Sequence, residues 1–198
     1  MKRFAMILVA LMVAVMFFPQ PASAATKSMK VYNQTIKIKS YVYCTDEQNV
    51  FRVNIKTGQV KMLTANMSYN SERTIYAMKS KGKYIYFIDG SDYYTGATIM
   101  RVKKSTAHSN KTLAHTDGLI AYAISKSKIY YRSDDGKRVM KLNGKSNKKT
   151  KVKAKMTQKN RNAKGYSVVT YNDGSTFESY LKTPKKTILL NTMSVSDE

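Results

Sequence analysis

The stretch KYIYFIDG, residues 83–90, decides the fold class. Its aromatic and aliphatic side chains favour an extended strand, and the Asp-Gly pair at its end is typical of a turn between antiparallel strands. Residues 41–46, 128–134 and 166–173 show variants of the same pattern. The central tyrosines of the four stretches follow one another at intervals of 43, 44 and 41 positions and are Tyr43, Tyr86, Tyr130 and Tyr171. A period in the forties is typical of a β-propeller blade.

Each repeat follows one order: a strand, a turn, an aromatic strand, an Asp-containing turn, a strand, a second turn and a short strand. The units cover residues 30–65, 73–115, 118–153 and 164–191. A single four-stranded sheet cannot bury both of its faces, whereas stacked neighbours share a continuous core. We therefore predict an all-β fold of four four-stranded antiparallel meanders, arranged as a small β-propeller or a partial propeller arc.

The first 24 residues have the features of a secretory signal peptide. Lys2 and Arg3 precede an uncharged apolar run, residues 4–18, and Ala22-Ser23-Ala24 supplies the small residues of a cleavage site. The run is shorter than the ~20 residues that span a bilayer. We expect cleavage after Ala24, a repeat domain at residues 25–192 and a polar tail at residues 193–198. The expected location is outside the cell or at the cell wall, with no membrane span after cleavage.

The chain is strongly basic, with 35 Lys and Arg residues against 12 Asp and Glu residues and a formal net charge of +23. Loss of Lys2 and Arg3 with the signal segment would leave +21. Such a charge attracts anions, although a solvated basic surface without a specific partner is the plain alternative. Cys44 is the single cysteine, so an internal disulfide is excluded. Its apolar surroundings favour a buried, inert thiol over an intermolecular bridge.

The second and third units resemble the blades of secreted bacterial β-propeller proteins related to the YWTD repeats of low-density-lipoprotein receptors. In the second unit the shared motif lies at residues 84–87, 89–90, 99–102 and 111–113. In the third unit it lies at residues 128–131, 135–136, 139–142 and 149–152. The fourth unit departs from the motif at residues 177–180. The resemblance implies a propeller of roughly six blades, whereas this chain has four. A closed ring, an open arc and a ring completed by two chains are the three alternatives.

Catalytic and metal-binding motifs are weak in this sequence. His108 and His115 lie seven positions apart and have no acidic or cysteine partner at a metal-ligand spacing, so we interpret them as surface loop histidines. No serine lies in a nucleophile elbow, and no glycine-rich phosphate loop follows a strand. We therefore predict no catalytic residue, no metal site and no cofactor.

Two groups of residues could bind a ligand. Four aspartates that follow the tyrosine strands would share one rim of a propeller, either as turn-forming residues or as an ion-binding rim: Asp46, Asp89, Asp134 and Asp173. Asp92, Tyr93 and Tyr94 lie in the longest loop, where paired aromatic rings either stack on a ligand or fold back over the blade.

The predicted function is that of a secreted, non-enzymatic binding or scaffold module of the cell envelope. Its basic surface would engage an anionic cell-wall polymer or a surface protein. The alternative is a secreted enzyme that acts on anionic polysaccharide with the rim carboxylates. No specific nucleic acid is expected, because no base-reading motif is present. A homodimer is expected if the ring is incomplete.

Overall fold

The fold was analysed in a computed structural model, which describes residues 35–65, 73–91, 96–117, 122–152 and 162–194. The predicted signal peptide, residues 1–24, lies outside this range. Sheet 1 contains β1 (Thr35–Ile38), β2 (Tyr41–Thr45), β3 (Val50–Asn54) and β4 (Val60–Met62). Sheet 2 contains β5 (Arg73–Lys81), β6 (Tyr84–Ser91), β7 (Ala97–Lys103) and β8 (Lys111–Thr116). Sheet 3 contains β9 (Tyr122–Ser125), β10 (Lys128–Ser133), β11 (Gly136–Lys141) and β12 (Lys148–Lys149). Sheet 4 contains β13 (Ser167–Asn172), β14 (Thr176–Lys182) and β15 (Thr187–Ser194).

The all-β prediction is confirmed, as is the division into four antiparallel meanders. In every sheet the strands lie in chain order, and consecutive strands pair with each other. Sheet 4 has three strands among the described residues, and residues 153–161, which precede it, lie outside them. The described residues include no helix that is long and apolar enough to cross a membrane.

Neighbouring sheets pack face to face through three clusters of buried apolar side chains. Between sheets 4 and 1 the cluster includes Val42, Phe51, Val53, Val168, Leu181 and Ile188. Between sheets 1 and 2 it includes Tyr43, Val50, Leu63, Ile85, Phe87 and Met100. Between sheets 2 and 3 it includes Tyr86, Ile88, Ile99, Tyr122, Ile129 and Tyr131. The order in space is therefore sheet 4, sheet 1, sheet 2, sheet 3, which is a propeller-like stack that begins with the last unit of the chain.

The stack has two ends. Among the described residues, no cluster of buried apolar side chains joins sheet 3 to sheet 4. The outer face of sheet 4 accordingly leaves Leu189 48% exposed. Lys128 and Arg132 on the outer face of sheet 3 are likewise exposed. Because a closed ring would bury both of these faces, the described chain forms an open arc.

The repeated tyrosines show how position in the arc changes burial. Tyr43 and Tyr86, in the two inner sheets, are 5% and 1% exposed. In β10 of sheet 3 the ring of Tyr131 is fully buried, while Tyr130 is half-buried. Adjacent residues of a strand point to opposite faces, so Tyr130 lies on the outer face of an end sheet, where no fifth sheet covers it.

Candidate functional site: a basic end face and a polar cleft

Asp46 is buried between sheets 1 and 4. Its carboxylate accepts hydrogen bonds from the backbone N–H groups of Gln48 (3.0 Å) and Asn49 (2.7 Å) and from the Ser179 hydroxyl (3.0 Å). The residue is 0% exposed. Burial raises the pKa of Asp46 to about 6, although its hydrogen bonds act in the opposite direction. This aspartate forms a turn and joins two sheets.

The other three predicted rim aspartates each have different surroundings. Asp89 lies within β6, opposite Ile75 and Thr98. Asp134 lies in the exposed β10–β11 turn. Asp173 accepts hydrogen bonds from the backbone N–H groups of Ser175 (2.9 Å) and Thr176 (2.6 Å), which lower its pKa. Its contacts are those of a turn-forming residue.

Three further predictions concern the loop and the histidines. Asp92, Tyr93 and Tyr94 lie outside the described residues. His108 lies in a turn with φ of 48°, and the His115 Nδ1 atom lies 2.9 Å from the Thr98 hydroxyl. Within the described ranges, no three His, Cys, Asp or Glu side chains come together as metal ligands would.

A polar cleft of about 310 Å³ lies between the end of β8 and the β10–β11 turn. Its lining includes Asp117, Asp134, Asp135, Arg138 and His115. Arg138 forms an ion pair with Asp135, with 3.3 Å between Nη2 and Oδ2. The cleft thus holds three of the 12 acidic residues of a very basic chain. Sequence reasoning missed it, because it depends on how sheet 2 packs on sheet 3.

The second candidate site is the outer face of sheet 3, which we call the basic end face. In β10 the residues alternate: Ile129 and Tyr131 are fully buried, while Lys128 and Arg132 are exposed. The register with β9, β11 and β12 then defines the whole face. Its side chains are Lys128, Tyr130, Arg132, Lys137, Val139, Lys141 and Lys148, with Ala123 and Ser125 at its edge. The face carries five cations and no acidic residue.

The cations of the basic end face are paired with each other across the strands. Lys128 lies directly opposite Lys141, and Arg132 lies directly opposite Lys137. Tyr130 and Val139 form the apolar pair between them. Like charges at directly opposite positions destabilise a sheet. The repulsion between these cations therefore lowers the free energy of unfolding, which charges of both signs at the same positions would not do.

Basic residues elsewhere in the arc have different partners. The Arg101 guanidinium lies 4.2 Å from the Tyr84 ring centroid and donates a 2.9 Å hydrogen bond to the Leu142 carbonyl oxygen. Lys79 lies 4.8 Å from the Tyr122 ring centroid and donates to the Tyr122 carbonyl oxygen at 2.8 Å. These cations hold neighbouring sheets together, whereas Lys128 and Arg132 project into solvent.

The chain was compared with protein families, curated proteins and solved structures. No protein-family model matches the chain, and no curated protein matches it, so membership in the YWTD-related repeat family stays a prediction. Among solved structures, the chain is similar to dihydro-heme d1 dehydrogenase NirN in complex with DHE, with 12% identity and a TM-score of 0.42. The match covers 79% of this chain and 36% of that chain. The present chain thus spans about a third of that protein.

Proposed function

We propose that the protein is an exported, non-enzymatic binding module of the cell envelope that holds an anionic polymer on its basic end face. The observation that supports the proposal is that cations lie directly opposite each other at two places in the sheet, Lys128 opposite Lys141 and Arg132 opposite Lys137. A polar outer face keeps a terminal sheet soluble, but solubility does not require five charges of one sign. A bound polyanion would convert this repulsion into attraction.

The layout of the face suits an extended polymer better than a single small anion. The two cation pairs lie four residues apart along β10, which corresponds to roughly 13 Å. Tyr130 lies between them and offers a ring for the polymer backbone. A chain that runs along β10 would meet a cation pair, an aromatic ring and a second cation pair in turn.

The charge of the whole molecule assists this contact. At a formal net charge of +21 after loss of Lys2 and Arg3, electrostatic attraction raises the rate at which a polyanion meets the protein. Such attraction is screened beyond about 8 Å at physiological ionic strength. At physiological ionic strength the overall charge therefore acts only at short range, and the closely spaced cations of the basic end face hold the polymer.

Export is part of the proposal and rests on residues 1–24. Expression of the full sequence in a secreting bacterial host should release a protein that begins at Ala25. N-terminal sequencing of the exported protein measures this directly. An intact Met1 on the exported chain would contradict cleavage.

A charge-matched pair of variants tests the site. Lys128→Ser/Lys141→Ser removes one cross-strand cation pair, while the control Lys56→Ser/Lys185→Ser removes two exposed turn lysines and gives the same net charge. Affinity for poly(glycerol phosphate) should fall at least tenfold for the first variant and less than twofold for the control. Neutral dextran should bind neither. Equal losses in the two variants would show that net charge, and not this face, binds the polymer.

A further inference from the structure

We infer that two copies of the protein pair through the outer face of sheet 4 and form a symmetric dimer whose basic end faces lie at its two far ends. The interface uses the end of the arc opposite the proposed polymer site. The inference is independent of polymer binding, and either proposal can fail while the other holds.

An apolar strip crosses the outer face of sheet 4. Val169 lies opposite Tyr180, and Tyr180 lies opposite Leu189, so the three side chains form one row across β13, β14 and β15. The Tyr171 ring meets the Tyr180 ring edge-on, with 5.7 Å between centroids and 76° between planes. We call these four residues the apolar end face.

The apolar end face contrasts with the opposite end of the arc. Terminal units of stacked repeats need a polar outer face to remain soluble. The outer face of sheet 3 also carries an apolar row, formed by Ala123, Tyr130 and Val139, but the charges around it are five cations. On sheet 4, Leu189 is 48% exposed, the other three side chains are half-buried, and the charges beside the strip are one acid, Glu178, and one base, Lys182. In the inner sheets, the equivalent rows are covered by the next sheet. The two ends of the arc therefore differ in the charges around their apolar rows, and the row on sheet 4 is the one with charges of both signs beside it.

The charges that flank the strip point to a second copy as its partner. Along β14, Glu178 and Lys182 lie two positions before and after Tyr180, on the same face. Consider a two-fold axis that lies in the plane between the two sheets, passes over Tyr180 and runs at right angles to β14. Rotation about this axis places Glu178 of each copy over Lys182 of the other. The Tyr180 hydroxyl donates a 2.6 Å hydrogen bond to Glu178 Oε2, which holds the carboxylate beside the strip. The pattern is self-complementary, as an isologous interface requires.

The alternative partner, the basic end face of another copy, fits less well. That contact would place five cations against a face whose one acidic side chain is Glu178. Covering lysines without opposite charges has a high desolvation cost. It would also generate head-to-tail assemblies in place of a closed dimer.

The size of the face sets the strength of the dimer. Three strands of about seven residues form a face of roughly 14 Å by 23 Å. Pairing two such faces buries on the order of 650 Å² in total, less than the roughly 1,200 Å² of a stable specific interface, so we expect a weak, transient dimer that forms only towards the upper end of the micromolar range.

Sedimentation equilibrium of the protein, purified after expression of the full sequence, tests the inference at about 1 to 300 µM. The wild type should pass from monomer to dimer over this range. Glu178→Lys or Lys182→Glu alone should raise the dissociation constant at least tenfold, and the double exchange should restore it to within threefold of wild type. The control Lys185→Glu, in the β14–β15 turn, should leave dimerisation unchanged.

Three results would overturn the inference: a monomer throughout, a dimer unaffected by Glu178→Lys, or assemblies that grow beyond two copies. Poly(glycerol phosphate) binding, measured on the same samples at concentrations where the protein is monomeric, separates this result from the proposed function. At these concentrations Glu178→Lys should retain the affinity of the monomer for the polymer.

Discussion

The Ser179 hydroxyl in sheet 4 donates a 3.0 Å hydrogen bond to the Asp46 carboxylate in sheet 1. The two residues are 133 positions apart in the chain, and both are fully buried. This contact joins the last unit of the chain to the first. It lies beside the apolar cluster that packs the two sheets together.

The first prediction is a pH dependence of stability that arises from Asp46. Burial raises its pKa from 3.8 to about 6 in the folded protein. Between these values the folded state binds more protons than the unfolded state, so stability falls as pH rises. The stabilising contribution is complete below pH 3.8 and is lost as pH rises through about 6. The difference corresponds to about 3 kcal/mol in the free energy of unfolding.

Urea unfolding of wild type and Asp46→Asn at pH values from 4 to 8 measures the pH-dependent contribution of Asp46 to the free energy of unfolding. Asparagine keeps the oxygen that accepts the backbone hydrogen bonds but cannot ionise. The free energy of unfolding of the variant should therefore rise relative to that of the wild type as pH rises. Asp46→Ala should lose about 2 kcal/mol or more at pH 4, because two buried N–H groups lose their acceptor, and this deficit should shrink as pH rises, because the variant has no buried carboxyl group to ionise. A constant difference between wild type and Asp46→Asn would contradict a raised pKa.

The second prediction concerns Arg101, which holds sheet 2 to sheet 3. Arg101→Lys keeps the charge but loses the planar stacking on Tyr84, and it weakens the bond to the Leu142 carbonyl oxygen. The free energy of unfolding should fall by about 1 to 2 kcal/mol. Arg132→Lys on the exposed face is the matched control and should change stability little. Equal effects would show that the Arg101 contacts do not support the interface.

The third prediction separates stability from binding on the basic end face. Lys141→Thr removes one like-charge contact and places a strand-favouring residue in β11. It should stabilise the fold by about 0.5 kcal/mol at low salt, while it weakens poly(glycerol phosphate) binding. Urea unfolding at low and high salt gives the first quantity, since added salt should shrink the gain. A destabilised variant would mean that no repulsion is stored at this pair.

The fourth prediction concerns the Cys44 thiol, which is fully buried in sheet 1. Burial raises its pKa strongly, and the nearby Asp46 carboxylate acts in the same direction. Because the thiolate is the reactive form, a thiol reagent should label the folded protein very slowly and the unfolded protein fully. Mass spectrometry during a urea titration should show labelling that follows unfolding. Rapid labelling of the folded protein would contradict the buried position.

The fold was predictable because the spacing of the tyrosine strands reports the repeat directly. The aromatic and aliphatic runs at residues 84–88 and 129–131 identified the strands, and the Asp-Gly pairs at residues 135–136 and 173–174 marked turns. The turn predicted at Asp89-Gly90 was wrong, because both residues lie within β6. The sequence could not reveal that the arc begins with the last unit, because the contact of sheet 4 with sheet 1 depends on packing across more than 100 residues. It also could not reveal which sheet faces remain uncovered.

The candidate site was less predictable for the same reason. The four aspartates occupy similar places in the repeat, yet Asp46 is buried and Asp173 is exposed. The local sequence predicts that both aspartates accept backbone hydrogen bonds within a turn, as observed. Whether each aspartate is buried depends on the neighbouring sheet, which the local sequence does not reveal. The opposition of Lys128 and Lys141 follows from the β10–β11 register. Because this register depends on the pairing of two strands, the face could be identified only from the structure.

The salt dependence of poly(glycerol phosphate) binding tests the central claim most directly. If the five cations of the basic end face all contact the polymer, the slope of log K against log salt concentration should be about −3.5, and it should become about −2 in Lys128→Ser/Lys141→Ser. The control Lys56→Ser/Lys185→Ser should keep the wild-type slope. A wild-type slope near zero, or one that the loss of Lys128 and Lys141 leaves unchanged, would contradict polymer binding by this face.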